Sequence, residues 1–230
     1  NEDSYLLEFD EGNLFSLNRF SGWDARESGL RANLGLGWTR IDPAGWSIGL
    51  TAGRVLRSHR DKAFADNGPI GGKSSDWLLA AHYSGSNGLA IANRALFDDS
   101  FSLSRNEFRL GWYQPWLQVS AGYLWLDSDL REDRLEDVSE LTTLAGWQIT
   151  DGWWASAETR YDFAENRAQK AELGLQYRNE CITVEMSVER RFTSSDELDA
   201  ETSFDLGIRL GGFGQNTSGP GTVARRACLR

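Results

Sequence analysis

Residues 182–189 read ITVEMSVE, and apolar and polar side chains alternate along them without a break. The same alternation recurs in SFDLGIRL at residues 203–210 and in LRANLGLGW at residues 30–38. Successive side chains of a β-strand point to opposite faces of the sheet, so each segment would have one apolar and one polar face. The pattern predicts an all-β protein whose sheet separates apolar from polar side chains.

About eleven segments of the chain carry this pattern. They are predicted as strands at residues 26–40, 45–56, 75–84, 88–97, 101–112, 115–127, 138–149, 152–163, 168–178, 181–192 and 201–213. Strands of globular proteins have about five or six residues, whereas a tilted strand that crosses a bilayer needs roughly 9–11. The predicted lengths therefore favour an antiparallel transmembrane β-barrel of the outer-membrane type. The odd strand count indicates a partial barrel, because bacterial single-chain barrels have even counts.

The predicted connections alternate between short and long. Breaks after odd-numbered strands are short, at residues 41–44, 84–87, 113–114, 150–151 and 178–180, whereas those after even-numbered strands are longer and more polar. Outer-membrane barrels have short periplasmic turns and longer outer loops. Tryptophans beside the short turns would form an aromatic girdle at the membrane interface. They are Trp38, Trp46, Trp112, Trp116, Trp147, Trp153 and Trp154. A soluble sheet with one solvated face is the alternative.

Composition restricts the classes of function. The chain has 230 residues and a net charge of −10, which argues against nucleic acid as a partner. Its two cysteines cannot supply a four-ligand zinc site, and its two histidines leave little material for imidazole chemistry, so no cofactor or metal is expected. We expect residues 1–24 to be an extracellular loop segment, 25–213 the barrel part, and 214–230 a flexible periplasmic tail. The chain does not begin with Met, so we expect a mature segment or a fragment.

Three stretches together carry a family resemblance. They read NLFSLNRFSGWDARESGLRANLGLGWTR at residues 13–40, QYRNECITVEMSVERRF at 176–192 and FDLGIRLGGFG at 204–214. They resemble the C-terminal part of the LptD family, the lipopolysaccharide-assembly outer-membrane proteins once called organic solvent tolerance proteins. The resemblance implies the outer membrane of a Gram-negative bacterium and a role in lipopolysaccharide transport.

The family's architecture implies further expectations. Its barrel has 26 strands and follows a periplasmic jellyroll domain, so this chain would hold only the last strands. Implied partners are lipopolysaccharide, an LptE-like lipoprotein that plugs the lumen, membrane lipids, and periplasmic lipopolysaccharide-bridge proteins that contact the missing N-terminal domain. Lipopolysaccharide would leave through a lateral seam at the last strand, residues 201–213. The lipid-facing residues of that strand would be Phe204, Leu206, Ile208 and Leu210.

Cys181 follows the short turn 178–180, which loop parity assigns to the oxidising periplasm. In the family, a cysteine at this position bonds to the N-terminal domain, which implies a disulfide at Cys181. Cys228, in the C-terminal tail, could pair with Cys181, pair with a cysteine outside this chain, or be free. The alternative for Cys181 is that it is simply a small residue at the start of a strand.

A loop motif precedes the first strand. Its members are Asn18, Arg19, Phe20, Ser21, Gly22 and Asp24. We interpret them as loop-ordering residues, with Gly22 at a tight bend and Arg19 paired with Asp24 or another loop carboxylate. A direct contact of Arg19 with lipopolysaccharide is the alternative.

Two other functions compete with this interpretation. A general porin or small-molecule channel would share the barrel, but it would need neither the Asn18-Arg19 motif nor Cys181. An outer-membrane hydrolase could use Asp76, His82 and Ser84 as an acid, base and nucleophile. However, His82 and Ser84 fall on one face at a strand end, and nothing marks a nucleophile. We therefore predict that the protein is not an enzyme.

Overall fold

The computed structural model describes residues 9–20, 26–60, 70–128, 135–192 and 200–211. They form a single antiparallel sheet of eleven strands, ordered as in the sequence from β1 to β11. The strands are β1 (Arg31–Ile41), β2 (Ser47–Arg57), β3 (Trp77–Ser84), β4 (Leu89–Phe97), β5 (Leu103–Gln114), β6 (Leu117–Leu126), β7 (Val138–Thr150), β8 (Trp153–Asp162), β9 (Arg167–Arg178), β10 (Ile182–Arg191) and β11 (Thr202–Leu210). No helix within these ranges has the length and apolar character to cross a membrane.

The all-β class and the number of strands are confirmed. The first strand differs most, because β1 begins at Arg31 rather than at residue 26. Gly29 has a φ of 83°, which is outside the β region, and the Glu27 carboxylate pairs with Arg19 instead of extending a strand face. The sheet is open, and β1 and β11 are its two edges in the part of the chain that is described. A closed barrel is therefore not part of the observed architecture.

Strand register keeps the two kinds of side chain on separate faces. Val184 and Met186 of β10 pair with Ile208 and Leu206 of β11, whereas Glu185 pairs with Gly207. Because paired residues share a face, the alternation of one strand continues into the next. We call the face of Met186 and Leu206 the apolar face and the face of Glu185 the polar face.

The apolar face is broadly exposed. Its exposed large side chains are Leu34, Leu36, Trp38, Leu50, Leu56, Trp77, Leu79, Trp112, Trp147, Leu173, Ile182, Met186, Phe204, Leu206, Ile208 and Leu210. Water-soluble monomers rarely expose a contiguous apolar patch of more than a few hundred Å². This side of the sheet therefore requires an apolar environment.

The small buried core lies on the opposite, polar face, at the end of the sheet from which the longer loops leave. Its members are Phe9, Leu14, Val55, Ile70, Leu78 and Leu96, with Phe20 packed against them. Leu78 pairs with Leu96 and with Gly53, so β2, β3 and β4 supply the floor of this core. Residues 9–20, which we call the covering segment, supply Phe9, Leu14 and Phe20. The covering segment thus closes one corner of the polar face.

Candidate functional site

Leu14 anchors the covering segment in a gap between two glycines. Gly35 of β1 pairs with Gly53 of β2, and the fully buried Leu14 side chain lies over this pair. A Cβ at Gly35 would lie 2.6 Å from Leu14 Cδ2, and a Cβ at Gly53 would overlap the same methyl group and lie 2.7 Å from the Leu34 carbonyl oxygen. The two missing side chains therefore create the space that Leu14 fills.

A buried ion cluster fixes the C-terminal end of the covering segment. Arg19 Nη1 donates to both oxygens of Glu27, at 2.8 and 2.9 Å, and the Arg19 amide donates to Oε1 at 3.0 Å. Arg57 of β2 and Arg31 of β1 also contact Glu27 Oε2, at 3.3 and 3.4 Å. The Arg19 and Glu27 side chains are fully buried. A single carboxylate therefore ties the covering segment to two strands, and removing one partner of such a cluster leaves an uncompensated buried charge.

The N-terminal end of the covering segment is fixed by Arg94 of β4. Its guanidinium donates to both carboxylate oxygens of Glu11, at 2.8 and 3.0 Å, which is the strong bidentate geometry. The hydrogen bond from Arg94 lowers the pKa of Glu11, against the opposing effect of its burial. At the other end, burial lowers the pKa of Arg19, and the neighbouring Glu27 carboxylate counteracts this. Charged contacts thus hold both ends of the segment.

The described part of the loop motif surrounds this cluster. Asn18 Oδ1 accepts a hydrogen bond from the Glu27 amide at 3.1 Å, and Phe20 packs against the core. Ser21, Gly22 and Asp24 lie outside the described residues. The carboxylate partner of Arg19 is Glu27, which sequence reasoning had assigned to the first strand. The loss of alternation before residue 30 is the signal that could have identified it.

The rest of the polar face is lined by charges that pair across strands. Lys170 Nζ of β9 lies 3.4 Å from Glu158 of β8, 3.0 Å from Glu172 of β9 and 3.2 Å from Glu189 of β10. Arg209 of β11 pairs with Glu185 at 2.7 Å. These side chains are partly exposed, so the face suits contact with water and polar groups.

The edge strand β11 presents the four predicted seam residues on the apolar face. Phe204, Leu206, Ile208 and Leu210 are 80%, 68%, 62% and 55% exposed. β11 pairs with β10 alone, so within the described sheet its other edge offers backbone donors and acceptors without strand partners.

Cys181 lies at the short-turn end of β10, beside the end of β11. Its carbonyl accepts a hydrogen bond from the Gly211 amide at 2.6 Å, and its own amide donates to Asn179 Oδ1 at 2.9 Å. The residue is half-buried. Cys228, the other cysteine of the chain, lies outside the described residues.

The three residues considered for hydrolysis do not form a catalytic set. Asp76 precedes β3 and accepts a hydrogen bond from Ser104, whereas His82 and Ser84 lie toward the other end of β3. His82 lies six positions after Asp76 along extended chain, or about 20 Å away. Across the described ranges, no cluster of three or more His, Cys, Asp or Glu residues could hold a metal ion.

Sequence comparison connects this sheet to one family. The family model described as "LptD: LPS transport system D" matches residues 1–153. The LPS-assembly protein LptD of Haemophilus influenzae (strain 86-028NP) is 27% identical over 237 residues, which cover 93% of this chain and 30% of the relative. The protein of the same name from Pasteurella multocida (strain Pm70) is 28% identical over 234 residues, with the same coverage. The chain therefore spans less than a third of the length of these relatives.

Gly53→Val should release the covering segment. The new side chain would overlap Leu14, and overpacking of this kind costs about 1–3 kcal/mol. We expect trypsin to cleave the full-length protein after Arg19 several times faster, because that buried side chain becomes accessible. Gly37→Val is the matched control, since its Cβ would meet only Thr51 Oγ1, at 4.0 Å. Equal cleavage rates in both variants would show that Leu14 does not anchor the segment.

Proposed function

The chain belongs to the LptD family, and from this premise we propose that it forms the C-terminal part of an outer-membrane β-barrel that assembles lipopolysaccharide at the surface of a Gram-negative cell. The observation that carries the proposal is the separation of side chains on one continuous sheet, apolar and exposed on one face and charged on the other. Transport of lipopolysaccharide along such a sheet needs groups that bind the lipid and a place where it can leave. It needs no catalytic residue.

The apolar face would contact lipid and the polar face would line the lumen. In the hydrocarbon core each backbone polar group must be satisfied within the protein, so an open sheet edge is not tolerated there. We therefore propose that β1 and β11 pair with strands from the part of the protein beyond this chain. The matched relatives are long enough for this, since this chain corresponds to 30% of their length.

The covering segment would close the lumen from outside. It packs on the polar face at the end of β2, β3 and β4 that carries the longer loops, and parity assigns those loops to the cell exterior. In this arrangement residues 1–24 belong to an extracellular loop whose covering segment packs on the polar face. Residues 25–213 belong to the barrel, and residues 214–230 to a periplasmic tail.

Lipid would leave the barrel at the open edge of β11, which has no second strand partner within the described sheet. Phe204, Leu206, Ile208 and Leu210 would meet the bilayer there, while the opposite face of the same strand carries Asp205 and Arg209. A saccharide could pass along the polar face while its acyl chains enter the membrane at this seam. An LptE-like lipoprotein in the lumen and bridge proteins bound to the N-terminal domain would complete the route.

The orientation of β11 can be tested by placing arginine on either face. Leu206 is central in the strand and faces lipid in our proposal, so Leu206→Arg should cost about 2–4 kcal/mol at the bilayer midplane. We expect less folded barrel in the outer membrane, judged by heat-modifiable gel mobility, and less lipopolysaccharide on intact cells, judged by antibody labelling. Asp205→Arg introduces the same residue on the polar face and should assemble almost normally. The reverse order of the two variants would place the lumen on the other side.

The role of Cys181 is also a proposal. We propose that in the complete protein it bonds to a cysteine of the N-terminal domain, and that this bond accompanies maturation. Mobility of the full-length protein on non-reducing gels should differ from that on reducing gels, and Cys181→Ser should abolish the difference. Cys228→Ser should leave the shift unchanged. A shift lost in both variants would instead identify Cys228 as the partner of Cys181.

A further inference from the structure

A recess on the polar face lies over Gly122 of β6. It has a volume of about 390 Å³, and its lining includes no described residue of the covering segment. A Cβ at Gly122 would meet no atom within 4 Å, so the space directly above the floor of the recess is open. We call it the Gly122 recess.

Two arginines stand on either side of this floor. Arg109 of β5 pairs with Gly122, Gly122 pairs with Thr142 of β7, and Thr142 pairs with Arg160 of β8. All four residues therefore lie in one row across the sheet and share the polar face. Because strands are about 4.8 Å apart, the two arginine backbones are separated by roughly 14 Å. Long side chains from both directions can thus reach a group held above Gly122.

Both arginines are available to a ligand. Arg109 is 75% exposed in its side chain and has a single carboxylate nearby, Glu107, at 3.6 Å. Within the described residues, Arg160 is exposed and takes part in no ion pair. Lys170, the next cation along the same row, is instead surrounded by three glutamates. The available positive charge of the row is therefore concentrated around Gly122.

The carboxylates of the recess are already engaged. Glu107 accepts hydrogen bonds from Arg94 at 3.2 Å and from Arg105 Nε at 2.8 Å. Glu140 accepts one from Gln169 at 3.4 Å. Arg105, Arg109 and Arg160 thus face two carboxylates, which leaves a net positive recess in a chain of net charge −10.

We propose that the Gly122 recess binds a phosphoryl group of a phosphorylated saccharide, the headgroup chemistry of the lipopolysaccharide that passes along the polar face; the inference rests on the proposed function. Guanidinium groups recognise phosphate oxygens through paired, charge-assisted hydrogen bonds. The Thr142 hydroxyl adds a donor for the same group or for a neighbouring sugar oxygen. The recess would hold each headgroup on the polar face of the barrel, after it enters at the periplasmic end of the lumen and before it reaches the seam at β11.

The test captures the ligand at the recess itself. A photo-crosslinking residue replaces Thr142 in the full-length protein in cells, and adducts are identified with antibody to lipopolysaccharide. Arg109→Gln together with Arg160→Gln should reduce the adduct about tenfold, because two charged donors are lost. Arg109→Lys with Arg160→Lys keeps the charge and should restore part of it. Arg178→Gln is the matched control for adduct formation, since Arg178 is exposed on the same face at the short-turn end of β9 and does not line the recess.

A second crosslinker at Ser187 separates this inference from the proposed function. Ser187 lines a different groove of the polar face, over β8, β9 and β10. If Ser187 captures lipopolysaccharide and the Thr142 adduct is unaffected by the double glutamine variant, the phosphoryl site is wrong and the transport function stands. If neither position captures lipopolysaccharide, the proposed function fails. A Thr142 adduct with a protein alone would assign the recess to protein docking and overturn the inference.

The phosphate requirement is measured with purified full-length protein. The probes are lipopolysaccharide and the same preparation after chemical removal of its phosphates. We expect about tenfold less Thr142 adduct from the dephosphorylated probe, and no further loss when both arginines are glutamine. Equal yields from both probes would contradict phosphoryl recognition.

Discussion

The two faces of the sheet cannot share one solvent, and the rest of the structure depends on this constraint. Strand registers such as the one that pairs Met186 with Leu206 and Glu185 with Gly207 give the sheet one predominantly apolar face. Exposing that surface to water is unfavourable in proportion to its area. Burying the charges of the other face would be costly as well. A bilayer on one side and an aqueous lumen on the other satisfy both faces at once.

The covering segment shows how a chain fixes a loop against the polar face of such a sheet. The apolar side chain of Leu14 packs in the space above the Gly35–Gly53 pair. Charged contacts fix its position, because Glu27 contacts Arg19, Arg31 and Arg57 at the same time. Buried ion pairs add little net stability when they replace apolar packing, yet they penalise every alternative arrangement that separates the partners. These contacts hold the covering segment on the polar face over β2, β3 and β4. They leave the rest of that face uncovered by the segment.

Much of this architecture follows from periodicity in the sequence. Alternation over 182–189 and 203–210 predicted β10 and β11 closely, because a one-residue shift of a strand with two different faces would expose all its side chains to the wrong environment. The predicted short turn at residues 178–180 correctly indicated that Cys181 lies at the short-turn end of β10. The start of β1 was missed, since the predicted strand included residues 26–29, which do not alternate, and Glu27 lies in the ion cluster instead.

Other features could not be predicted because they depend on which residues become neighbours across strands. Leu14 meets Gly35 and Gly53 only after β1 and β2 have paired, and Lys170 meets Glu158 and Glu189 only through the registers on both sides of β9. The Gly122 recess likewise results from a row that crosses four strands. The alternation within a strand predicts which residues share a face of the sheet. The pairing register between strands decides which charged side chains and which glycines become neighbours on that face.

The orientation of the faces is the central claim, and site-directed spin labelling tests it most directly. Single labels at each position from 203 to 210 are examined in the full-length protein in lipid bilayers, with oxygen and a water-soluble nickel chelate as collision reagents. Our account predicts oxygen maxima at Phe204, Leu206, Ile208 and Leu210, and nickel maxima at the four positions between and before them. A nickel maximum at the apolar positions, or equal access to both sets, would contradict a lipid-facing β11.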